Sequence, residues 1–286
     1  MFAILNELVI EHEAQFRLLI FLLVFTVMAS WEVIRPCRKL SIKKSRRWLN
    51  NITLIVLNSI LLRLIFPAAA VGVALYAEVN VIGVFNHLTL APFVEVFLCV
   101  VIMDFMIYWQ HLISHYVPLI WRFHRMHHVD LDFDLTTGAR FHPLELIASM
   151  LFKFVVILLI GAPVMAVFIF EVMLNSFAMF NHSNIRLPAK VEPWLRLLFV
   201  TPDMHRVHHS TIHREHNSNY GFSLSIWDRL FHSYIDQPAQ GHENMEIGLA
   251  TIREPGDCVQ LPGMLVLPFW KSEDTAVDDD NQAASY

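Results

Sequence analysis

Residues 111–128 read HLISHYVPLIWRFHRMHH and contain five histidines, His111, His115, His124, His127 and His128. Side chains three or four positions apart lie on the same face of an α-helix. The H-x3-H and H-x2-H-H spacings therefore each place their imidazoles side by side. Neutral imidazole is the commonest metal-ligating side chain near pH 7, so this stretch predicts a metal site carried by helices.

The tighter of these two patterns occurs a second time in the chain. It reads HRVHH and contains His205, His208 and His209. Eight of the 16 histidines of the chain thus fall into three clusters. Because spacing and repetition coincide, we expect the three clusters to converge on a single metal site.

The composition indicates a membrane protein. The 286 residues are 55% hydrophobic, with a mean hydropathy of +0.47. Apolar runs occupy residues 16–31, 52–76, 92–116 and 144–180, and the last run is broken by Gly161-Ala162-Pro163. Runs of this length span a bilayer as helices. We expect an all-α polytopic bundle of about four to five spans, with a kink at Pro67.

The charge pattern predicts the orientation of these spans. Seven of the 21 Lys and Arg residues lie within residues 35–47, and such loops face the cytoplasm by the positive-inside rule. Counting spans from this loop places all three histidine clusters on the cytoplasmic side. We therefore expect a cytoplasmic helical cap that carries the metal site. A second use of the basic loop, binding anionic lipid, stays open.

The chain has no evident linker, and we divide it by composition. Residues 1–90 are interpreted as membrane anchor spans with the basic loop, 91–235 as the catalytic region, and 236–286 as a C-terminal extension with an acidic, disordered tail. The first 13 residues lack the basic segment of a cleavable signal peptide. The three cysteines are far apart, which disfavours disulfides or a cysteine zinc site.

The number of clustered histidines favours two metal ions. The eight imidazoles, or nine with His182, exceed the coordination of a single ion. Two octahedral ions offer twelve positions, so nine imidazoles leave about three for water or O2. Imidazole suits iron, zinc, copper and nickel alike. A site at the lipid boundary without an H-E-x-x-H motif favours O2 chemistry on hydrocarbon chains.

Other segments accompany the three clusters: TTGARFHPLE at 136–145, FNHSN at 180–184, NSNYG at 217–221 and WDR at 227–229. With the pattern H-x3-H, H-x2-H-H, H-x2-H-H, they resemble the fatty acid hydroxylase/sterol desaturase superfamily of membrane di-iron enzymes, and bacterial members in particular. The similarity covers roughly residues 90–235, about half of the chain.

The resemblance implies two iron ions, O2 as co-substrate and an external electron donor. It makes the following residues iron ligands, the eight clustered ones also being catalytic: His111, His115, His124, His127, His128, His182, His205, His208 and His209. His142 is either a direct ligand or a supporting residue, and His213 and His216 are expected on the solvent side or behind the ligands.

Metal-ligating imidazoles usually donate their second N–H to a carboxylate or carbonyl. The candidates for this supporting role are Asp104, which lies on the helical face of His111, together with Glu145, Asn219, His142, Asp130, Asp132, Asp134 and Asp203. For each acid, a solvated or helix-capping role is the alternative.

The sequence thus predicts a lipid hydroxylase or desaturase in the bacterial inner membrane, with its active site at the cytoplasmic face. Sterol, fatty acyl, ether lipid and aminolipid substrates all stay open. No G-x-G-x-x-G loop or haem domain is present, so a ferredoxin, cytochrome, reductase or pterin must supply electrons. No nucleic-acid partner is expected. The alternatives are a membrane zinc hydrolase or transport protein and a haem-binding electron carrier.

Overall fold

The computed structural model describes residues 2–270, and the acidic tail at 273–286 lies outside this range. The described residues are helical and contain three isolated β-bridges but no strand, which confirms the all-α prediction. The helices are α1 (Phe2–Ile34), α2 (Lys44–Ile65), α3 (Ala69–Val79), α4 (Pro92–Tyr116), α5 (Pro118–His128), α6 (Pro143–Ile160), α7 (Val164–Asn181), α8 (Glu192–Leu198), α9 (Pro202–His208), α10 (His213–His216), α11 (Ile226–Leu230), α12 (Gly241–Asn244), α13 (Pro255–Cys258) and α14 (Leu261–Val266).

Five helical segments within the described residues are long and apolar enough to cross a membrane: Asn6–Ile34, Lys44–Val79, Pro92–Tyr116, Pro143–Ile160 and Val164–Asn181. This confirms the expected four to five spans. The second segment comprises α2 and α3, which are separated near Pro67, where the kink was predicted.

Glycine and proline separate α6 from α7. Gly161 caps α6 in the left-handed conformation (φ 70°), and a Cβ there would lie 2.7 Å from the Ile82 carbonyl oxygen. Only glycine fits this position. Pro163 then precedes the first turn of α7. The predicted hairpin at 161–163 is therefore present.

The core of the bundle is built on small residues. Ala70, Ala74, Ala162 and Ala166 are buried where α3, α4, α6 and α7 meet, and small side chains allow helices to approach closely in a bilayer. The long side chains of α1 point outward; Leu19 and Leu23, for example, are 65% and 62% exposed. This outer surface is suited to lipid.

Four charged side chains within the spans balance one another, because Arg17 also donates to Glu13 at 3.0 Å. Glu171 of α7 accepts from Lys153 of α6 at 2.5 Å and from Arg17 of α1 at 3.0 Å. Charges inside a membrane bundle face its interior and pair with one another. This network joins α1, α6 and α7.

The basic loop does more than the sequence indicated. Arg47, at the start of α2, is fully buried and donates to Asp130 at 2.6 Å and to Asp134. Burial alone would raise the pKa of Asp130, but Arg140 and Arg47 lower it to about 2. The start of the second span is thereby fixed to residues 129–137, directly after the HRMHH cluster.

Candidate metal centre

The nine histidines proposed as ligands lie on four helices whose ends meet at one end of the bundle. Pro118 begins α5 and separates it from α4, so HLISH and HRMHH stand on two helices that can face each other. His182 follows α7, and HRVHH ends α9. Eight of the nine residues are buried; His115 is partly exposed, but both of its ring nitrogens are buried.

The structure divides these nine residues into two groups within which the ligand atoms lie within 4.8 Å of one another. The five-histidine group consists of His111, His115, His124, His128 and His208. The four-histidine group consists of His127, His182, His205 and His209. Both groups could hold a metal ion. That the nine residues bind metal remains a prediction.

The five-histidine group has the arrangement of a square pyramid. The rings of His111, His124, His128 and His208 form a closed square, with neighbouring centroids 5.1, 4.9, 4.7 and 4.6 Å apart. His115 contacts all four at 5.2, 5.0, 4.7 and 4.7 Å. An octahedral ion in this group would have five corners occupied, with His115 at the apex, and its sixth corner would lie opposite His115.

The four-histidine group leaves more corners free. The ring centroids of His182 and His209 are 5.1 Å apart. The ring centroid of His127 lies 4.9 Å from that of His182 and 4.7 Å from that of His209. The ring centroid of His205 lies 4.2 Å and 5.1 Å from the same two rings. In an octahedron, two corners that both adjoin His182 and His209 are opposite each other, so His127 and His205 would occupy opposite corners around an ion held by this group. Two adjacent corners remain.

The free corner of the five-histidine group faces the other group. Each ring of the square contacts a ring of the four-histidine group: His111–His205 at 6.2 Å, His124–His127 at 5.4 Å, His128–His209 at 4.5 Å and His208–His205 at 5.1 Å. His115 instead contacts Trp121 and Tyr220, each at 5.1 Å. The four-histidine group therefore lies on the side of the square opposite His115, and a small molecule there could reach both ions.

Hydrogen bonds assign the ring nitrogens that are available to metal. Nδ1 of His111 and of His208 donate to the carbonyls of Tyr220 (2.8 Å) and Ser218 (2.6 Å). A carbonyl only accepts, so these Nδ1 atoms carry hydrogen. In a neutral ring, Nε2 then presents a lone pair. Nδ1 of His182 donates in the same way to the Ala178 carbonyl at 2.8 Å.

The Nε2 atoms converge at the spacing that a metal ion requires. His182 Nε2 lies 3.1 Å from His127 Nε2 and 2.9 Å from His205 Nε2, and the Nε2 atoms of His124 and His128 are 3.2 Å apart. Two nitrogens about 2.1 Å from one ion, at right angles, are about 3.0 Å apart. Lone pairs directed at one another repel unless a cation lies between them. The residues present therefore fit a metal ion in each group.

Burial keeps these rings neutral. It lowers the pKa of His182 to about 3 and that of His205 well below its usual range, with neighbouring imidazoles adding to the shift at His205. The same holds for the pKa of His127 and of His209. Because only a neutral imidazole has a free lone pair, the rings are ready to ligate near neutral pH.

Of the residues predicted to accept a hydrogen bond from a ligating histidine, Glu145 does so and Asp104 does not. Glu145 accepts from His124 Nδ1 at 2.6 Å, as expected of a carboxylate behind a ligand. Asp104 differs from the expectation: its carboxylate accepts from the backbone of Ser223 and Leu224 and from the indole of Trp227. It fixes the segment after the NSNYG motif. The reason is that α4 places Asp104 nearly two turns before His111.

His142 and Asn219 have structural contacts. His142 caps α6, where its Nδ1 accepts from Leu144 N at 3.2 Å, and it belongs to neither histidine group. Asn219 has a positive φ of 51° and donates to the carbonyls of Met204 and Ile235, both at 2.9 Å. It secures the loop whose carbonyls bind His111 and His208.

The aspartates that follow HRMHH also hold structure rather than histidines. Asp130 and Asp134 bind Arg47, and Asp132 accepts from the backbone of Ser41 and Ile42 at 2.9 and 2.7 Å. Asp203 pairs with Arg206 at 2.6 Å.

His213 and His216 take the two positions that the sequence left open. His213 is exposed and lies on the solvent side. His216 is 7% exposed, and its ring centroid lies 4.5 Å from that of His128 and 4.9 Å from that of His115. It therefore lies behind the proposed ligands, beside the His115–His128 edge and outside the square pyramid of the five-histidine group.

A comparison with protein families agrees with this geometry. Residues 96–233 match the fatty acid hydroxylase family. This part of the chain is similar to that family. The resemblance drawn from the histidine pattern is therefore confirmed, and the matched range holds both histidine groups.

Several curated proteins are similar to the fatty acid hydroxylase region. Ornithine lipid hydroxylase OlsE of Rhizobium tropici is 35% identical over 146 residues, which is 50% of this chain and 43% of the relative. Alkylglycerol monooxygenase of Homo sapiens is 33% identical over 131 residues, 46% of this chain and 28% of the relative. The chain thus spans less than half of the length of these relatives. No solved structure gives a significant match.

Proposed function

We propose that this chain is an O2-dependent di-iron oxidoreductase that hydroxylates an unactivated C–H bond of a membrane lipid. The observation that carries the proposal is the pair of buried, all-imidazole groups whose free corners lie toward each other. The match of residues 96–233 to the fatty acid hydroxylase family supports it. Two similar proteins are named as a lipid hydroxylase and a monooxygenase.

The coordination geometry favours iron. Zinc sites in proteins are mostly tetrahedral with at most four protein ligands, whereas five imidazoles here form a square pyramid. Octahedral iron accepts this set and leaves positions for an exogenous molecule. Bound iron would supply the reduction of O2 and the oxidation of the C–H bond. Iron, O2 and the electron donor are parts of the proposal.

The chain's own residues prepare this chemistry. The Tyr220, Ser218 and Ala178 carbonyls and the Glu145 carboxylate hold hydrogen on Nδ1 of their imidazoles, which orients each Nε2. Burial of the rings excludes bulk water, so a reactive centre is not quenched. The surrounding spans would bring one carbon of a lipid chain to the free corners.

The alternatives fit the geometry less well. A haem carrier would need an open slot for the porphyrin between two ligating rings, but here the rings are packed 4.2 to 5.5 Å apart. A zinc hydrolase or transport protein would leave most of the nine imidazoles without a role. Desaturation is the closer alternative, because it requires the same centre and differs by a second hydrogen abstraction. Hydroxylation needs only one abstraction and is preferred.

The charge pattern supports a location for the protein, and the need for electrons supports an external donor. We propose an integral protein of the bacterial inner membrane, with the metal centre at the cytoplasmic face beside the basic loop. The fatty acid hydroxylase region (91–235) would be catalytic, 1–90 an anchor and 236–286 an extension. Electrons would come from a ferredoxin, cytochrome or reductase, or from a pterin.

Lipid analysis of cells with and without the gene tests the proposal. The expected result is a lipid that gains one oxygen atom only in cells that contain the chain; loss of two hydrogens would instead indicate a desaturase. His127→Ala and His208→Ala should abolish the change, whereas the exposed His213→Ala should not. Unaltered lipid in the presence of folded, iron-loaded protein would contradict the proposal.

A further inference from the structure

The buried metal centre poses a problem of electron supply. Insertion of one oxygen atom of O2 into a C–H bond, with release of the other as water, consumes two electrons and two protons. Eight of the nine imidazoles are buried, so a donor protein cannot touch the ions. Electrons must cross a layer of protein, and the rate of tunnelling falls steeply with the width of that layer.

The apex of the five-histidine group is its most exposed member. His115 is partly exposed, whereas His111 is 9% exposed and the other seven proposed ligands are at most 3% exposed. It also points away from the four-histidine group and from the free corners. A route through His115 would therefore not compete for space with O2 or a lipid.

One aromatic side chain connects this apex to the surface. Trp121, near the start of α5, is partly exposed, and its ring lies 5.1 Å from His115 and 5.5 Å from His128. Its ring is also 5.0 Å from the buried His216. Indole is among the most easily oxidised side-chain rings, and its extended π system couples electronically to the rings that it contacts. Tyr220, the other ring on His115, is 1% exposed and reaches no solvent by itself.

We propose that Trp121 is the electron-transfer residue through which a one-electron donor protein reduces the five-histidine metal site. Electrons pass from the donor across the indole to His115 and His128 and convert ferric to ferrous ion, one electron at a time. His216 fills the space behind these rings and keeps water out of the route. The inference rests on the proposed di-iron function and adds where the electrons arrive.

Other aromatic side chains that contact the histidine groups are less suited to carry electrons than Trp121. Phe141 stacks on His127 at 4.7 Å and is also partly exposed, but a phenyl ring conducts electrons less well than indole. Phe133 contacts His182 and His209 but is fully buried. Trp121 combines a readily oxidised ring, surface exposure and contact with two proposed ligands in one side chain, whereas the exposed Tyr116 reaches His115 only through Tyr220.

The test injects electrons without requiring the natural donor. A ruthenium polypyridyl photosensitiser is attached to a Leu119→Cys variant, because Leu119 is 65% exposed and lies two residues before Trp121. In iron-loaded protein, flash-induced reduction of the ferric centre is then followed by absorbance. Trp121→Leu should slow this reduction by an order of magnitude or more, and Trp121→Phe by less.

Phe123→Leu is the matched control, since Phe123 lies on the same helix and contacts His142 and Phe269 instead of a grouped histidine. It should leave the rate unchanged, and all variants should retain the iron content of the parent. Equal reduction rates in the Trp121 variants and the parent would overturn the route alone. Absence of iron from every purified variant would overturn the proposed function, and the route with it.

Discussion

At the scale of single residues, the centre depends on which nitrogen of each ring is free. The acceptors of the Nδ1 hydrogens are mostly backbone carbonyls, which a substitution cannot remove. Two acceptors are side chains: Glu145 accepts from His124 Nδ1 at 2.6 Å, and Asn181 Oδ1 lies 2.7 Å from His182 Nδ1. The Glu145 contact is the charged one, and mutagenesis can address it directly.

Glu145→Ala should weaken metal binding by about 10- to 100-fold, the usual effect of losing a hydrogen-bond partner of a ligating histidine. Glu145→Gln keeps an acceptor but removes the charge, and it should have a smaller effect. Competition with a chelator measures both. Glu246→Gln, at an exposed residue paired with Arg253, serves as control. Equal metal retention in Glu145→Ala and the control would show that this contact does not support the site.

The two groups should lose metal independently. His115→Ala removes the apex of the five-histidine group, and His209→Ala removes a member of the four-histidine group. Each variant should retain about half of the iron of the parent, because the other group keeps all its ligands. Elemental analysis of purified protein gives the ratio. A complete loss in both variants would mean that the groups form one indivisible site.

Residue spacing singled out the eight clustered histidines because i, i+3 and i+4 relations are fixed by the helix itself, and the family resemblance added His182. Spacing could not sort them into groups, since neighbours such as His127 and His128 belong to different groups. No residue spacing indicated that His216 and Trp121 lie beside the histidine groups, because their positions depend on how α10 and α5 pack. Asp104 shared a helical face with His111, but the loop at 223–227 approached it more closely.

At the scale of elements, prolines and charged side chains position the histidine-bearing helices. Pro118 divides the first histidine stretch into two helices, a break that residue order alone makes visible. The sequence did not predict the contact of Arg47 with Asp130 and Asp134, because the positive-inside rule already accounted for the basic residues of this loop. A long-range ion pair between residues more than eighty positions apart leaves no periodic trace in a sequence.

Arg47→Met should destabilise the fold by about 3–5 kcal/mol, because it removes the guanidinium from two buried carboxylates. Asp130 keeps Arg140 at 3.6 Å, but Asp134 loses the arginine that it binds. The neighbouring Arg46→Met is the control, since Arg46 is exposed, and it should be nearly neutral. Thermal unfolding in detergent measures the difference, with iron retention followed in parallel. Equal midpoints for the two variants would show that the buried pair contributes nothing.

At the scale of the whole molecule, five spans and one histidine-bearing end define the architecture. Apolar run length predicted the spans because a bilayer fixes the length of a crossing helix. The orientation rests on the charge of the loop at 35–47 and on the alternation of spans. The orientation of the protein in the membrane is therefore still a prediction, whereas the spans themselves are described by the fold.

Cysteine labelling in intact cells tests this orientation. The natural cysteines, Cys37, Cys99 and Cys258, are buried and can be replaced by serine. In that background a cysteine at Lys39, in the basic loop, should be protected from a membrane-impermeant maleimide until the cells are lysed. A cysteine at the exposed Thr89, between the second and third spans, should be labelled at once. The reverse pattern would place the metal centre on the outer face.

The central claim is that nine imidazoles in two unlike groups hold two iron ions. Mössbauer spectroscopy of the purified, iron-loaded chain tests it most directly, because five and four imidazole ligands give each iron a different electronic environment. We expect two signals of equal area, corresponding to two irons in each chain. A single iron site, or protein that retains zinc and excludes iron, would contradict the account.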